Sequence, residues 1–179
     1  MKRFVFFLLG LISFLYPFFW YFGREKFFTL LAIIMACLWF IRGIYVQIFG
    51  QKIIAFSLSL FFTLLLFFRQ QNAMYFYPIL VNFLFFLLFF SSLFREETMI
   101  EKLAKIQNPN LPQEGIIYTR KVTKIWCVFF VINAAVAGLL AIFEFYQLWA
   151  IYTGIISYLL IGILLASEYL YRKFYLRIN

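Results

Sequence analysis

Six long apolar runs constrain this chain more than any other feature of its sequence. They cover residues 5–22, 27–46, 53–68, 74–94, 125–143 and 148–170. A helix needs about 20 residues, with a range of roughly 17–25, to cross the hydrocarbon core of a bilayer. The third run is short, and the second contains Arg42, whose guanidinium we expect to reach the interface from near the end of the span. The sequence therefore predicts six membrane spans.

The spans are predicted to be helices because backbone groups in lipid must be satisfied internally, which only helices and closed barrels achieve. Strands of a barrel alternate apolar and polar residues over about 10 positions. The runs here show no such alternation, and 66% of the 179 residues are hydrophobic, against roughly 45–50% in an ordinary soluble domain. We therefore expect an all-α polytopic bundle, with residues 1–179 forming a single transmembrane domain in contact with the lipid bilayer.

The basic residues predict the orientation of the bundle. With six spans and the N-terminus inside, thirteen of the 16 Lys and Arg residues fall in cytoplasmic segments and three in outer loops. Positive loops stay in the cytoplasm, so both termini are expected inside, as in a bacterial inner-membrane protein. The net charge of +9 is explained by this asymmetry, and we expect no nucleic-acid partner. Trp and Tyr near the span ends are expected to form interfacial belts.

One long hydrophilic stretch, residues 95–124, is predicted to be a cytoplasmic loop. Residues 96–106 have the pattern of an amphipathic helix, with Met99, Ile100, Leu103 and Ile106 on one face. Leu111 and Pro112 end this part of the loop, because proline does not continue a helix. Arg120 and Lys121 then lead into the fifth span. The helix could lie on anionic lipid, dock a soluble partner, or be a solvated surface helix that continues the fourth span.

Few polar residues are predicted at membrane depth. Asn82 and Asn133 are expected at similar levels, either as a polar site between spans four and five or as interhelical hydrogen bonding, which is favoured. Glu168 stands four residues before Arg172. It is either a functional intramembrane carboxylate or, as favoured, an i,i+4 ion pair at the end of the helix.

Enzymatic constellations are missing from the sequence. The chain has no His, no Gly-rich phosphate loop and no Ser in a nucleophile elbow. We therefore predict no enzyme activity, no cofactor and no metal site. Cys37 and Cys127 lie inside apolar runs, where thiols usually act as small hydrophobes, and nothing in the sequence argues for a disulfide between them.

The second half of the chain resembles an uncharacterised bacterial inner-membrane family found beside acyl-carrier-protein and ketosynthase genes of the aryl-polyene type. The residues that carry the resemblance are Tyr77, Pro78, Asn82, Glu97, Thr98, Leu103, Ala104, Pro109–Pro112, Tyr118–Thr123, Trp126, Phe129, Phe130, Asn133, Trp149, Tyr152–Gly154, Ser157, Tyr158, Glu168, Tyr169 and Arg172. The layout is also similar, more distantly, to the intracellular septation protein A family, in its Leu-Pro loop, its Trp-x-x-Phe-Phe span and its Tyr169-Leu-Tyr171-Arg172 end. Members of that family are often drawn with five spans.

These observations lead to three hypotheses of function. The first is a non-enzymatic accessory or scaffold protein of cell-envelope biogenesis, which binds envelope or acyl-chain-synthesis proteins through the loop 95–124. The second is a small transporter or flippase for an acyl or lipid product, with Asn82, Asn133 and Glu168 along its path. A membrane acyl transferase is the weakest of the three, because the sequence offers no reactive group for it.

Overall fold

The described chain is mainly helical, with short turns and loops between the helices and no strand among the described residues. The computed structural model describes residues 2–107 and 109–174, without the side chains of residues 2–5, 24–26, 107 and 172–174. It contains seven α-helices in this part of the chain: α1 (Lys2–Tyr45), α2 (Phe49–Phe68), α3 (Tyr77–Ser92), α4 (Met99–Gln107), α5 (Gln113–Ile142), α6 (Tyr146–Ile151) and α7 (Ser157–Phe174). A 3-10 turn, Gln71–Phe76, precedes α3, and a π-helical segment, Tyr152–Ile156, joins α6 to α7.

Six segments are long and apolar enough to cross a membrane, which confirms the predicted fold class. They are Phe6–Gly23, Phe27–Tyr45, Phe49–Phe68, Gln71–Ser92, Gln113–Ile142 and Tyr146–Tyr171, named spans 1 to 6 below. The protein is therefore a multi-pass helical membrane protein. Span 3 begins at Phe49 rather than Ile53 and is 20 residues long. It is therefore not the short span that the sequence predicted.

Spans 1 and 2 belong to one helix, α1, which reverses its direction between them. In a straight helix, the 36 residues from Phe6 to Arg42 would extend about 54 Å. The Cζ atom of Arg42 instead lies 5.0 Å from the centre of the Phe6 ring. At the end of span 1, a Cβ atom on Gly23 would overlap the ring of Phe27, so a larger residue here would force that ring to move. The first two spans therefore form an antiparallel hairpin.

Aromatic rings hold the hairpin against the rest of the bundle. Tyr16 contacts Tyr77 with ring centroids 4.6 Å apart, and its hydroxyl donates a 2.6 Å hydrogen bond to the Met74 carbonyl. Tyr75 stacks on Tyr146 at 4.3 Å and meets Trp149 edge to face. The expected interfacial belt is therefore partly wrong: Trp20, Tyr75, Trp126 and Trp149 are buried in the protein, because their rings fill the spaces between spans.

The connection between α3 and α5 differs from the expected loop 95–124 in how much of it is helical. Helix α5 begins at Gln113, twelve residues before the predicted fifth span, since a helix continues into water beyond the part that hydropathy detects. Thr98 caps α4 in a capping box: the Glu101 N–H donates to Thr98 Oγ1, and the Thr98 N–H donates to Glu101 Oε2. The predicted helix 96–106 is thus observed as Met99–Gln107.

The apolar face predicted for α4 is split between two environments. Ile100 and Ala104 are buried in the helix that packs on α5. Leu103 and Ile106 are instead 49% and 79% exposed. The rotation of α4 buries Glu101, whose carboxylate accepts the capping bond, and this turns the second pair of apolar residues outward.

Candidate functional site

A cavity of about 480 Å³ lies inside the bundle, and it is the candidate site of this protein. Spans 1, 2, 4, 5 and 6 all contribute to its wall, whereas span 3 packs outside it. Aromatic rings from spans 4 and 5 form most of one side, namely Phe85, Phe89, Trp126 and Phe130. Phe85 stacks on Phe130 at 5.6 Å, and Phe89 meets Phe130 edge to face at 5.2 Å. The wall is therefore mainly apolar and braced by ring contacts.

A chain of hydrogen bonds across three spans forms the polar part of the wall. Asn133 on α5 donates from Nδ2 to Asn82 Oδ1 on α3 at 3.0 Å, and Ser157 on α7 donates to Asn133 Oδ1 at 2.9 Å. Asn82 donates in turn to the Pro78 carbonyl at 2.7 Å. All four residues line the cavity. The two asparagines thus meet directly, a contact that both interpretations of the sequence allow, and Ser157 is a third member that the sequence analysis missed.

A second polar group faces the cavity from spans 1 and 4. The hydroxyl groups of Ser13 and Tyr77 are 3.1 Å apart. The indole N–H of Trp39 lies beside Tyr77 without a hydrogen bond of good geometry. Such convergent polar groups in an apolar cavity are typical of ligand sites, because they fix the orientation of a ligand.

Arg42 closes one end of the cavity. It is half-buried in the wall, with its Cζ atom 5.0 Å from the centre of the Phe6 ring and 5.7 Å from that of Trp39. The sequence analysis expected its guanidinium to reach the interface from near the end of span 2, and did not place it in the wall of a cavity. No signal in the sequence could reveal its position, because the reversal of α1 brings Arg42 and Phe6 together.

The π-helical segment brings span 6 close to span 1. Gly154 is buried within it, and a Cβ atom at this position would lie 2.6 Å from the Phe18 ring. Thr153 from the same segment lines the cavity and donates to the Trp149 carbonyl at 2.7 Å. A π-helical turn widens a helix locally and often occurs at functional sites.

Glu168 lies apart from the cavity. It follows Ile161, the last cavity-lining residue of span 6, by seven residues, or about 10 Å along the helix. Its expected partner Arg172 has its side chain outside the described part of the chain. The structure therefore does not bring Glu168 together with Asn82 and Asn133.

The candidate loop residues make structural contacts between α3 and α5. Arg120 donates to the Leu93 carbonyl at 3.0 Å and the Arg95 carbonyl at 3.4 Å, which ties the end of α3 to α5. Pro112 is the N-cap of α5, Leu111 is half-buried, and Lys121 is exposed. Of this basic pair, Lys121 is the residue whose side chain faces solvent.

An ion cluster fixes α4 beside this loop. Lys105 Nζ lies 2.7 Å from Glu97 Oε1 and 2.9 Å from Glu101 Oε1. The hydrogen bond from Lys105 lowers the pKa of Glu97, and bonds to Glu101 and Glu97 raise the pKa of Lys105. The contribution of Glu97 to the stability of the folded chain is present above the usual pKa of a glutamate and is lost as pH falls through the lowered value. The Lys105 contribution is present below the usual lysine pKa and is lost as pH rises through the raised value. The cluster therefore stabilises α4 across the neutral range.

The described residues include no cluster of metal ligands and no disulfide. No group of three His, Cys, Asp or Glu side chains is placed to hold a metal ion there. Cys37 is exposed and Cys127 buried, and both are free thiols.

Comparisons with family models, curated proteins and solved structures gave no match to this chain.

Proposed function

We propose that the protein is a small membrane transporter or flippase that takes an acyl or lipid product into the cavity between its spans. The cavity itself is the observation that carries this proposal. Its volume of about 480 Å³ falls within the range of roughly 300–1,000 Å³ typical of ligand sites, and its mixture of apolar walls and a few convergent polar groups has the same character.

Close packing between spans 2, 3 and 4 supports an occupied cavity. Protein interiors are close-packed, and voids reduce stability. A Cβ atom on Gly50 of span 3 would overlap Leu88 of span 4, and one on Gly43 of span 2 would lie 2.9 Å from Phe56 of span 3. A bundle that packs closely at these contacts and leaves a cavity beside them is best explained by an occupant of that cavity.

The polar residues at the centre of the cavity wall are uncharged. Asn82, Asn133 and Ser157 do not titrate near neutral pH, and each keeps hydrogen-bonding capacity beyond the bonds it makes. They would contact the polar part of an amphiphile as it passes. Glu168, which the sequence hypothesis placed on this path, is not a wall residue and is left out of the proposal. No chemical reaction is assigned to the chain.

Two features of the sequence support the product and the membrane named in this proposal. The resemblance to an inner-membrane family beside acyl-carrier-protein genes points to an acyl product. The asymmetry of Lys and Arg supports a bacterial inner-membrane protein with both termini in the cytoplasm.

The test is transport by the purified protein in vesicles, with a cavity-filling variant. Gly10 lines the cavity, and a Cβ atom there would meet nothing within 4 Å, so Gly10→Leu adds bulk without a clash at its Cβ. Gly162→Leu is the matched control, because Gly162 has equal room and is not a cavity residue. We expect a labelled acyl lipid to cross faster with the protein than without it. Gly10→Leu should slow this movement, whereas Gly162→Leu should not. A rate equal to that of protein-free vesicles would contradict the proposal.

A second candidate function is the accessory or scaffold role in envelope biogenesis. It is favoured by one observation, the exposed pair Leu103 and Ile106 on α4 beside the exposed Lys102. Such a surface would dock an envelope or acyl-chain-synthesis protein. Under this role, changing both Leu103 and Ile106 to Ser removes partners from pull-downs, while Gly10→Leu retains them. Loss of transport in Gly10→Leu with unchanged pull-downs of the double variant would decide for the transporter.

A further inference from the structure

The guanidinium of Arg42 is a positive charge without a countercharge in the described structure. Among the described residues, its guanidinium makes neither an ion pair nor a hydrogen bond; its recorded contacts are the faces of Phe6 and Trp39. A cation over an aromatic ring gains less free energy than a charged group within a membrane span costs. Such residues in spans are by default suspected of a function.

The cavity extends from Arg42 over half the thickness of a bilayer. Its lining runs from Phe6 to Pro17 on span 1 and from Tyr77 to Phe89 on span 4. These intervals of eleven and twelve residues correspond to about 16 and 18 Å of helix, against a hydrocarbon core of about 30 Å. A molecule in the cavity therefore occupies about the depth of one leaflet.

The guanidinium of Arg42 and the aromatic rings of the wall lie toward the same end of the cavity. Phe6, Arg42 and Phe89 all belong to the span ends that the distribution of Lys and Arg assigns to the cytoplasm. Trp126 packs against Phe89 at this end, and the rings of Phe85 and Phe130 line the cavity about one helical turn farther along its wall. An occupant would thus meet a cation at the membrane surface and apolar rings below it, in the order in which an anionic amphiphile lies in a leaflet.

We infer that the cavity binds a single-chain anionic amphiphile, with its oxyanion head on Arg42 and its apolar chain along the aromatic wall. This inference rests on the proposed function, in which the cavity takes an acyl product, and it names the class of that product. The planar guanidinium matches both carboxylate and phosphate oxygens in bidentate geometry. The volume is that of a site for one small ligand and accommodates one chain rather than two. A fatty or polyene carboxylic acid and an alkyl phosphate share this chemistry.

Tryptophan fluorescence of the full chain in detergent tests the inference, because Trp39 and Trp126 line the cavity. The probes are dibromostearic acid, its methyl ester and a brominated alkyl phosphate, whose bromine atoms quench a nearby indole. We expect the anions to bind about tenfold to a hundredfold tighter than the ester, the range for charge-assisted hydrogen bonds. The ratio between the two anions shows whether a carboxylate or a phosphate is the better head.

Variants of Arg42 test the contribution of the charge to binding separately from that of the cavity. Arg42→Gln should weaken both anions to the affinity of the ester and leave the ester unchanged, whereas Arg42→Lys should retain part of the preference. Lys52→Gln is the control for charge alone, because Lys52 also lies at a predicted cytoplasmic end and is not a wall residue. Gly10→Leu should weaken acid and ester alike.

The outcomes distinguish this inference from the proposed function. Equal binding of acid and ester, unaffected by Arg42→Gln, would overturn the inference and leave a cavity that binds neutral chains. If none of the probes quenches the wild-type protein, the proposed function fails with it. Because the ester reports on the cavity without the charge, a loss of anion binding in Arg42→Gln that leaves ester binding unchanged cannot be ascribed to unfolding.

Discussion

The hydrogen bonds between Asn82, Asn133 and Ser157 join three spans, and a double-mutant cycle should measure what they contribute. Asn133→Ala removes the bond to Asn82 and the bond from Ser157. Interhelical bonds of this kind in membranes average about 0.6 kcal/mol and reach about 1.7 kcal/mol. Two of them, together with a buried Asn82 oxygen left unpaired, give an expected loss of about 1–3 kcal/mol in the free energy of unfolding.

The second variant, Ser157→Ala, isolates one of the two bonds. Ser157 in the wild type bonds to Asn133, and after Asn133→Ala its hydroxyl can turn to a carbonyl of its own helix. We therefore expect the two substitutions to be non-additive, with a coupling energy of about 0.6–1.7 kcal/mol. The assay is reversible unfolding in mixed micelles of mild detergent and dodecyl sulfate, followed by tryptophan fluorescence.

Thr63→Ala is the control for loss of a hydroxyl in a span. Its Oγ1 donates to the Ser59 carbonyl within the same helix, and the residue is exposed, so the expected change is within about 0.5 kcal/mol. A coupling energy indistinguishable from zero between Asn133 and Ser157 would refute the reasoning. So would an Asn133→Ala variant as stable as Thr63→Ala.

Three further predictions concern the packing, the loop and the orientation. Gly154→Ala places a Cβ atom 2.6 Å from the Phe18 ring and should destabilise the bundle by about 1–3 kcal/mol in the same unfolding assay, with Gly162→Ala as the unclashed control. The added substitution Phe18→Leu should recover part of that loss, and no recovery would mean that the contact does not limit stability. Arg120→Ala frees the carbonyls after α3 and should speed hydrogen exchange in that loop, whereas the same change at the exposed Lys121 should leave it unaltered. A reporter inserted between spans 3 and 4 should be active only outside the cytoplasm, and one between α4 and α5 only inside; the reverse pattern would overturn the orientation.

The sequence by itself determined the class of protein and the position of the spans. The free energy of transfer into lipid adds residue by residue along a segment, so hydropathy locates spans without knowledge of their partners. The capping box at Thr98 was not predicted, although its two residues stand three positions apart in the sequence and could have been recognised. Even so, the helix boundaries in the loop came out differently, as α5 extends into water where hydropathy carries no signal.

Asn82 and Asn133 were candidates from the sequence. The tertiary structure alone decided which other residues form the candidate site with them. It brought Ser157 to the asparagine pair, turned Leu103 and Ile106 away from the core, and placed Arg42 beside Phe6. The physical reason is the solvent: the faces of a span that touch lipid and those that touch protein are about equally apolar. The rotation of each helix about its axis is therefore set by packing between spans, which no periodicity in the sequence encodes.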